Sequence, residues 1–343
     1  MLSIYEIAEK TNFSPATVSR ALNPELRHKV KQKTLDKILK FCEENNYYGK
    51  LAARSLASGK TFCIGLVLGS ITMDFASPFF SLQMDGIIQV LARHGYTLKI
   101  IPIPEGGRNE VDKSVRKALL GNEVDGFILN AAMIGKETLD ELKQMKFPVV
   151  ILTAAHAEII PSGIPTVGID NMPGFRALCR HLREQGHKKL AILGNDGNDP
   201  RLHTLKKIAP EFGLAVREFT FRENSPRIAQ QMFEMYRQVR NNWAELKQYT
   251  AWHCITDLWA IGAKRALEEI DPESSIFISG YDNMEENPNY TTDKPEISTI
   301  APPYRKLGMQ AAEILFDYEN HETLHLVGTR FLLRNHNHHG ENQ

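Results

Sequence analysis

From residue 62 to residue 282, short apolar runs alternate with longer stretches of helical periodicity, and this alternation restricts the fold more than any other feature of the chain. The runs "FCIGLVL" (62–68), "TLKIIPI" (97–103), "GFILNA" (126–131) and "VVILT" (149–153) are rich in β-branched and aliphatic residues and read as buried strands. Between them, 79–94, 110–120 and 136–145 carry apolar residues at helical spacing. The alternation resumes with "TVGID" (166–170), a helix to Gln185, "KLAILG" (189–194), a helix near 201–210 and a strand near 215–220. A helix from about 225 to 241, "AWHCIT" (251–256), a helix at 258–269 and "IFISGYD" (276–282) complete it. Such repeats close as right-handed crossovers onto parallel sheets. The body is therefore expected to be α/β, with two doubly wound parallel-sheet lobes.

Ligands of open α/β sheets bind beyond the carboxyl ends of the strands. Two facing lobes place that site in the cleft between them, where hinge motion can close it. The strand-end residues Ser70, Asn130, Thr153, Gly194, Thr256 and Asp282 are candidates to line it, with the aromatic pair Phe79 and Phe80 of "SPFF". Asp170 and Asp257 read instead as caps of the helices that follow them. "RNNWAELKQYT" (240–250) reads as a surface helix end and loop with no evident role.

The first 46 residues follow a different pattern. Ser3 with Glu6 forms a capping-box signature, and Ile4, Ile7 and Ala8 share one helical face. Asn12 falls where the chain must turn sharply, a position at which Asn tolerates the left-handed conformation. Ser14 then caps a second helix that carries Pro15 at its first position, with Val18 and Leu22 facing inward. Two short helices joined by such a turn make a helix-turn-helix, and a third helix from Lys33 to Glu44 closes a small core. On the second helix Pro15 and Ala16 are small enough to approach base edges, and Arg20 can reach a guanine with its fork. Ser14, Thr17 and Ser19, with the helix N-terminal amides, can bond phosphate.

Charge divides along the same line. Residues 1–60 hold 11 Lys and Arg against 6 Asp and Glu, although the whole chain is neutral. A basic head on an acidic body points to a polyanionic partner. The four cysteines are far apart and sit in apolar runs, so neither a disulfide framework nor a zinc site is expected. No run resembles a membrane span or a secretory leader, and the chain is expected to be cytoplasmic.

The segments "IYEIAEKTNFSPATVSRALN" and "NNYYGKLAARSLASGKTFCIGLVL" together resemble the LacI/GalR (lactose-repressor) family of bacterial transcription regulators, over residues 2 to about 333. That resemblance implies a helix-turn-helix domain at 1–46, a hinge helix at 47–60 and an effector-binding and dimerisation body at 61–333, with a tail at 334–343. It implies periplasmic-binding-protein-like lobes of about 61–160 plus 293–333, and of 161–292. The chain would recross near 293–300 and return the helix 303–317 and the last strand 328–333 to the first lobe. By resemblance Phe79 is a wall residue, Arg201 and Asp282 bind effector, and Thr256-Asp257 stands in the place of the family's Asn-Asp pair. The hinge would fold on DNA and wedge Leu56 into the minor groove, with Lys50 and Arg54 beside the phosphates. Gly49-Lys50 replaces a usual Pro-Asn pair, so this hinge should depend more on DNA for its folding. Lys31 replaces a usual Ser cap on the third helix.

The resulting expectation is a cytoplasmic, nucleoid-associated repressor. It binds a palindromic double-stranded operator as a homodimer and answers to a small polar effector such as a sugar, without metal, cofactor or membrane. A periplasmic solute receptor is the alternative, but it would carry a leader and lack the basic head. The His-rich tail "HNHHG" (336–340) reads as solvated, and no GxSxG elbow, Walker loop or HExxH suggests an enzyme.

Overall fold

The structure is a computed structural model that describes residues 2–47, 54–55, 58–67, 78–101, 108–129, 134–152, 163–194, 199–221, 228–286, 295–320 and 324–334. By contact density the chain forms a small unit, Met1–Phe62 with Asn122–Asp125, and a large unit comprising the rest.

In the small unit, α1 (Ile4–Thr11), α2 (Pro15–Leu22) and α3 (Gln32–Glu44) bury Ile7, Ala8, Val18, Ala21, Leu35, Ile38 and Cys42 in one core. Ser3 and Glu6 exchange both capping-box bonds, and Asn12 ends α1 in the left-handed region at φ 62°. Ser14 Oγ accepts from the Thr17 amide at 3.1 Å and starts α2. Lys31 stands at the cap of α3 without a side-chain bond, so that helix begins on backbone alone. A 3-10 turn at Pro24–Lys29, not foreseen from sequence, carries the chain from α2 to α3. Asp125 Oδ1 and Oδ2 accept from the amides of Thr61 and Phe62 at 2.8 and 2.9 Å and anchor the end of the unit.

The large unit contains two six-stranded sheets. Their strands are β1 (Cys63–Val67), β2 (Thr97–Ile101), β3 (Gly126–Leu129), β4 (Val149–Leu152), β5 (Thr166–Asp170), β6 (Lys189–Gly194), β7 (Ala215–Thr220), β8 (Ala251–Cys254), β9 (Phe277–Tyr281), β10 (Ser298–Ala301), β11 (Leu324–Gly328) and β12 (Arg330–Leu332). The first sheet runs β11-β5-β4-β3-β1-β2, with every neighbouring pair parallel. The second runs β12-β10-β9-β8-β6-β7 and is parallel except for β12, which lies antiparallel to β10.

The lobe boundaries expected from sequence need correction in three places. Thr166–Asp170, assigned to the second lobe, pairs with β4 in the first sheet. Ser298–Ala301, taken as a connection, is a strand of the second sheet. The last strand, expected as one element at 328–333, is two, one in each sheet. A local apolar pattern shows that a segment is a strand, whereas sheet membership is decided by long-range partners the pattern does not contain. The chain thus crosses between lobes after Asp170, after Ala301 and after Gly328. Thr329 joins the first and third crossings: its amide bonds the Asp170 carbonyl at 2.9 Å, and its Oγ1 accepts from the Gly174 amide at 3.2 Å.

The helix Tyr304–Phe316 packs into the first lobe, as expected, against Pro78–Arg93. Their backbones nearly touch, because a Cβ on Gly308 would run into the Gln83 carbonyl and one on Gly86 into that of Arg305. In the second lobe the segment read as an idle surface loop is a short helix, Trp243–Leu246. Leu246 is buried, its carbonyl accepts from Trp252 Nε1 at 3.2 Å, and Trp243 meets Trp252 edge-on.

Candidate functional site

Two clusters of side chains follow from this frame, one in each unit. On α2 the inward residues are Val18 and Ala21, which leaves Pro15, Ala16, Ser19 and Arg20 exposed along one face. Thr17 is half-buried and shares a 2.9 Å hydroxyl bond with Ser14, so both hydroxyls already serve the helix start. Arg54 lays its guanidinium over the Phe62 ring at 3.4 Å, and its Nε is buried without a hydrogen-bond partner among the described residues. Lys50 and Leu56 lie outside the described residues.

The second cluster gathers beyond the carboxyl ends of β5, β6, β8, β9 and β10. Asp282 follows β9 at φ 105°, with Asn283 at φ 57°. Two consecutive non-glycine residues in this region store backbone strain. The turn is held by the Asp282 amide, which donates to the Ile300 carbonyl at 2.8 Å. The Asp282 carboxylate is buried: Oδ1 accepts from the Tyr304 hydroxyl at 2.7 Å, whereas Oδ2 has no partner among the described residues. Because Tyr304 begins a first-lobe helix and Asp282 ends a second-lobe strand, this bond joins the two lobes. Burial raises the Asp282 pKa to about 6, against the pull of Arg201 and of the Tyr304 bond.

Arg201 rises from the first turn of Pro200–Ile208 and stacks over the Tyr281 ring at 4.8 Å. Its fork is engaged by Asp199, Nε to Oδ1 at 3.0 Å and Nη2 to Oδ2 at 2.6 Å. Asp199 Oδ1 also accepts the Arg201 amide at 2.8 Å, so one carboxylate both caps the helix and clamps the guanidinium. Burial opposes the arginine's charge, but the bonds to Asp199 and the nearby Asp282 outweigh it, and its pKa is raised. Tyr281 donates to Asn171 Oδ1 at 2.6 Å, and Phe79 meets Tyr304 ring to ring at 5.0 Å. Behind them His253 is buried, bonded through Nδ1 to Ser279 at 3.0 Å and edge-on to Phe175. Burial, aided by Arg201, pushes its pKa down to about 3, so it is a neutral imidazole.

Of the residues singled out from sequence, the structure brings Arg201, Asp282 and, through Tyr304, Phe79 together. Phe80 packs against the first-lobe core. Thr256 caps the helix Asp257–Ile270 by accepting the Trp259 amide at 3.3 Å, a role the sequence pattern had suggested for Asp257. Asp257 instead lies fully buried, accepting from Thr299 Oγ1 and the Met284 amide at 2.7 Å each, and burial raises its pKa well above the usual range. Gly280 makes room for it, since any Cβ there would strike the Asp257 carboxylate. Asp170 does accept the Met172 amide at 2.9 Å at the start of Met172–Glu184. Ser70, Asn130, Thr153 and the tail 336–340 lie outside the described residues.

Sequence reasoning missed Asp199, Tyr281, His253, Asn171 and Tyr304. Tyr304 could have been found by the strand-end rule had β10 been read as a strand. Asp199 carried a signal of its own, a cap-type residue two positions before an arginine. Among the described residues no group of three His, Cys, Asp or Glu could hold a metal ion, and no helix is long and apolar enough to cross a membrane.

Comparison with known proteins bears on both clusters. Residues 3–49 match the family model of bacterial regulatory proteins of the lacI family. Residues 64–335 match that of periplasmic binding proteins and the sugar-binding domain of the LacI family. The chain is similar to the catabolite control protein A of Priestia megaterium, 26% identical over 94% of each chain. It is 27% identical to the transcriptional repressor CytR of Escherichia coli K12, over 91% of this chain and 88% of that one. Among solved structures it resembles the Lac repressor dimer bound to operator and an anti-inducer, with a TM-score of 0.68 at 21% identity, covering 97% and 98% of the two chains. It also resembles a ribose-bound regulator from Enterococcus faecium, with a TM-score of 0.59 at 24% identity, covering 79% and 97%.

Proposed function

From the premise that the chain belongs to the LacI family of bacterial regulatory proteins, we propose that it is a sequence-specific DNA-binding transcriptional repressor, not an enzyme. It acts in the cytoplasm at the nucleoid, binds an approximately palindromic operator as a homodimer, and answers to a small polar effector, a sugar or a derivative of one. The observation that carries this reading is the exposed face of α2, where Pro15, Ala16, Ser19 and Arg20 stand free on a helix whose other face is locked into a core. A helix so presented, on a basic unit, fits the major groove. Relatives named as repressors, and one structure named with bound operator, support the same conclusion. The ribose-bound neighbour supports a sugar-class effector, and the Arg201–Asp282 cluster is where we place it.

In this reading Arg20, Pro15 and Ala16 read bases, while Ser14, Thr17, Ser19, Lys50 and Arg54 hold the backbone and Leu56 wedges the minor groove. Ser70, Phe80, Asn130, Thr153 and Thr256 complete the effector site around Phe79, Arg201 and Asp282. Effector shifts the population between lobe arrangements, and its differential affinity for them is the only energy available to change operator binding.

Selection of bound sequences from a random DNA pool tests the reading. The expected product is a pair of inverted half-sites, and Arg20→Ala should relax preference at one base pair per half-site, about 1–3 kcal/mol of discrimination. Recovery of sequences without two-fold symmetry, or an Arg20→Ala variant with unchanged preference, would count against it.

A further inference from the structure

Arg201 is the one described cation in the effector cluster, and it is already partnered. Asp199 occupies the edge formed by Nε and Nη2, one of the two edges with which a guanidinium grips a carboxylate or phosphate in parallel bonds, and its charge offsets that of the arginine at the other. The other described groups add no positive charge: Asp282 is a second carboxylate and His253 a neutral ring. What the cluster offers a ligand is Asp282 Oδ2, an acceptor with no partner among the described residues, and the rings of Tyr281, Tyr304 and Phe79.

On these grounds, and resting on the reading of this cluster as the effector site, we propose that the effector is an uncharged, hydroxyl-bearing ring compound and that Asp199 excludes phosphorylated and carboxylated ones. A hydroxyl can donate to Asp282 Oδ2 and accept from the Arg201 donors that Asp199 leaves over, while the ring's apolar face lies on an aromatic side chain. An anion would have to displace Asp199 from the fork or approach with two carboxylates near it. Asp199 is thus a specificity residue that sets the effective charge of its neighbour.

The test uses the full-length chain and its Asp199→Asn and Asp199→Asn/Arg201→Met variants. Asn retains an oxygen that can cap the helix Pro200–Ile208, so the substitution removes charge without removing the cap. Inorganic sulfate is titrated first, with thermal shift and calorimetry as readouts. Asp199→Asn should bind sulfate at least ten times more tightly than the native chain, and the double variant should lose that gain. Next, neutral sugars are compared with their own phosphates and uronates. Every native preference should favour the neutral member by tenfold or more and shrink in Asp199→Asn. Native binding of sulfate or of a sugar phosphate as tight as that of Asp199→Asn would overturn the proposal. So would a sulfate gain that survives loss of Arg201. DNA binding is measured on the same preparations. Its absence would strike the regulator reading and leave the sulfate comparison, which settles the exclusion, intact.

Discussion

At the scale of single residues, Asp282 concentrates the chemistry of the body. Its carboxyl is held at about pKa 6 in the folded chain, chiefly by burial, against an ordinary value of 3.8. Between about pH 4 and 6 the folded chain therefore binds a proton that the unfolded chain has released. Raising the pH through that window removes stability, at about 1.4 kcal/mol for each pH unit crossed. Asp282→Asn should flatten this segment of the stability curve, which urea unfolding at pH 4.5 and 6.5 would measure. The same titration sets the acceptor. Oδ2 gains its full strength above pH 6, so effector affinity should rise from pH 5 to 7 in the native chain and stay level in Asp282→Asn. A native affinity that falls over that range would mean that the protonated acid is the binding form.

At the scale of elements, the separation between what the sequence showed and what it did not is physical. The caps and turns of the head were readable because each depends on residues a few positions apart: Ser3 with Glu6, Asn12 at its turn, Ser14 with Thr17. Strands such as Lys189–Gly194 were readable because apolar continuity is local. The cluster around Asp282 was half readable, since Asp282 stands at a strand end and Arg201 in a recognisable motif. Tyr304 was hidden, because Ser298–Ala301 reads as a connection and a strand-end rule reaches only residues that follow a recognised strand. The assignment of Thr166–Asp170 failed for the related reason that its pairing with nearby Val149–Leu152 and with remote Leu324–Gly328 leaves no mark in its own residues. Close helix contact is likewise invisible locally, yet it makes a sharp prediction. Gly308 allows the backbone of Tyr304–Phe316 to lie against Gln83. Gly308→Ala gains helix propensity of about 1 kcal/mol but forces the pair apart, an overpacking cost of about 1–3 kcal/mol. Because the obstacle is a backbone carbonyl that cannot rotate away, the net effect should be destabilising, with a lower urea midpoint. A raised midpoint would show that the helices can part freely.

At the scale of the whole molecule, the question is how a change at Asp282 is felt by the chain that carries it. Three crossings join the lobes, after Asp170, Ala301 and Gly328, and the Arg201–Asp282 cluster sits beside two of them. Asn171, just past the first, accepts from Tyr281, and Tyr304, just past the second, donates to Asp282. A ligand hydroxyl on Oδ2 would therefore draw on the same carboxylate that holds the lobes together at Oδ1. In the proposed reading, that shared carboxylate would give the ligand a differential interaction with two lobe arrangements, which any shift in population requires. Tyr304→Phe removes the bond between lobes while keeping the ring against Phe79. If coupling runs through this bond, Tyr304→Phe should still bind operator without effector, and with the same steep dependence of log affinity on log salt that phosphate contacts impose. It should lose most of the effector-linked change in operator affinity, which for coupling of about 1–3 kcal/mol is roughly 5- to 150-fold. Because linkage is reciprocal, operator DNA should then cease to alter effector affinity by the same factor. Titrations of each ligand in the presence and absence of the other measure both. An undiminished factor in Tyr304→Phe would move the coupling to another crossing, with Thr329, which spans the first and third, as the residue to test next.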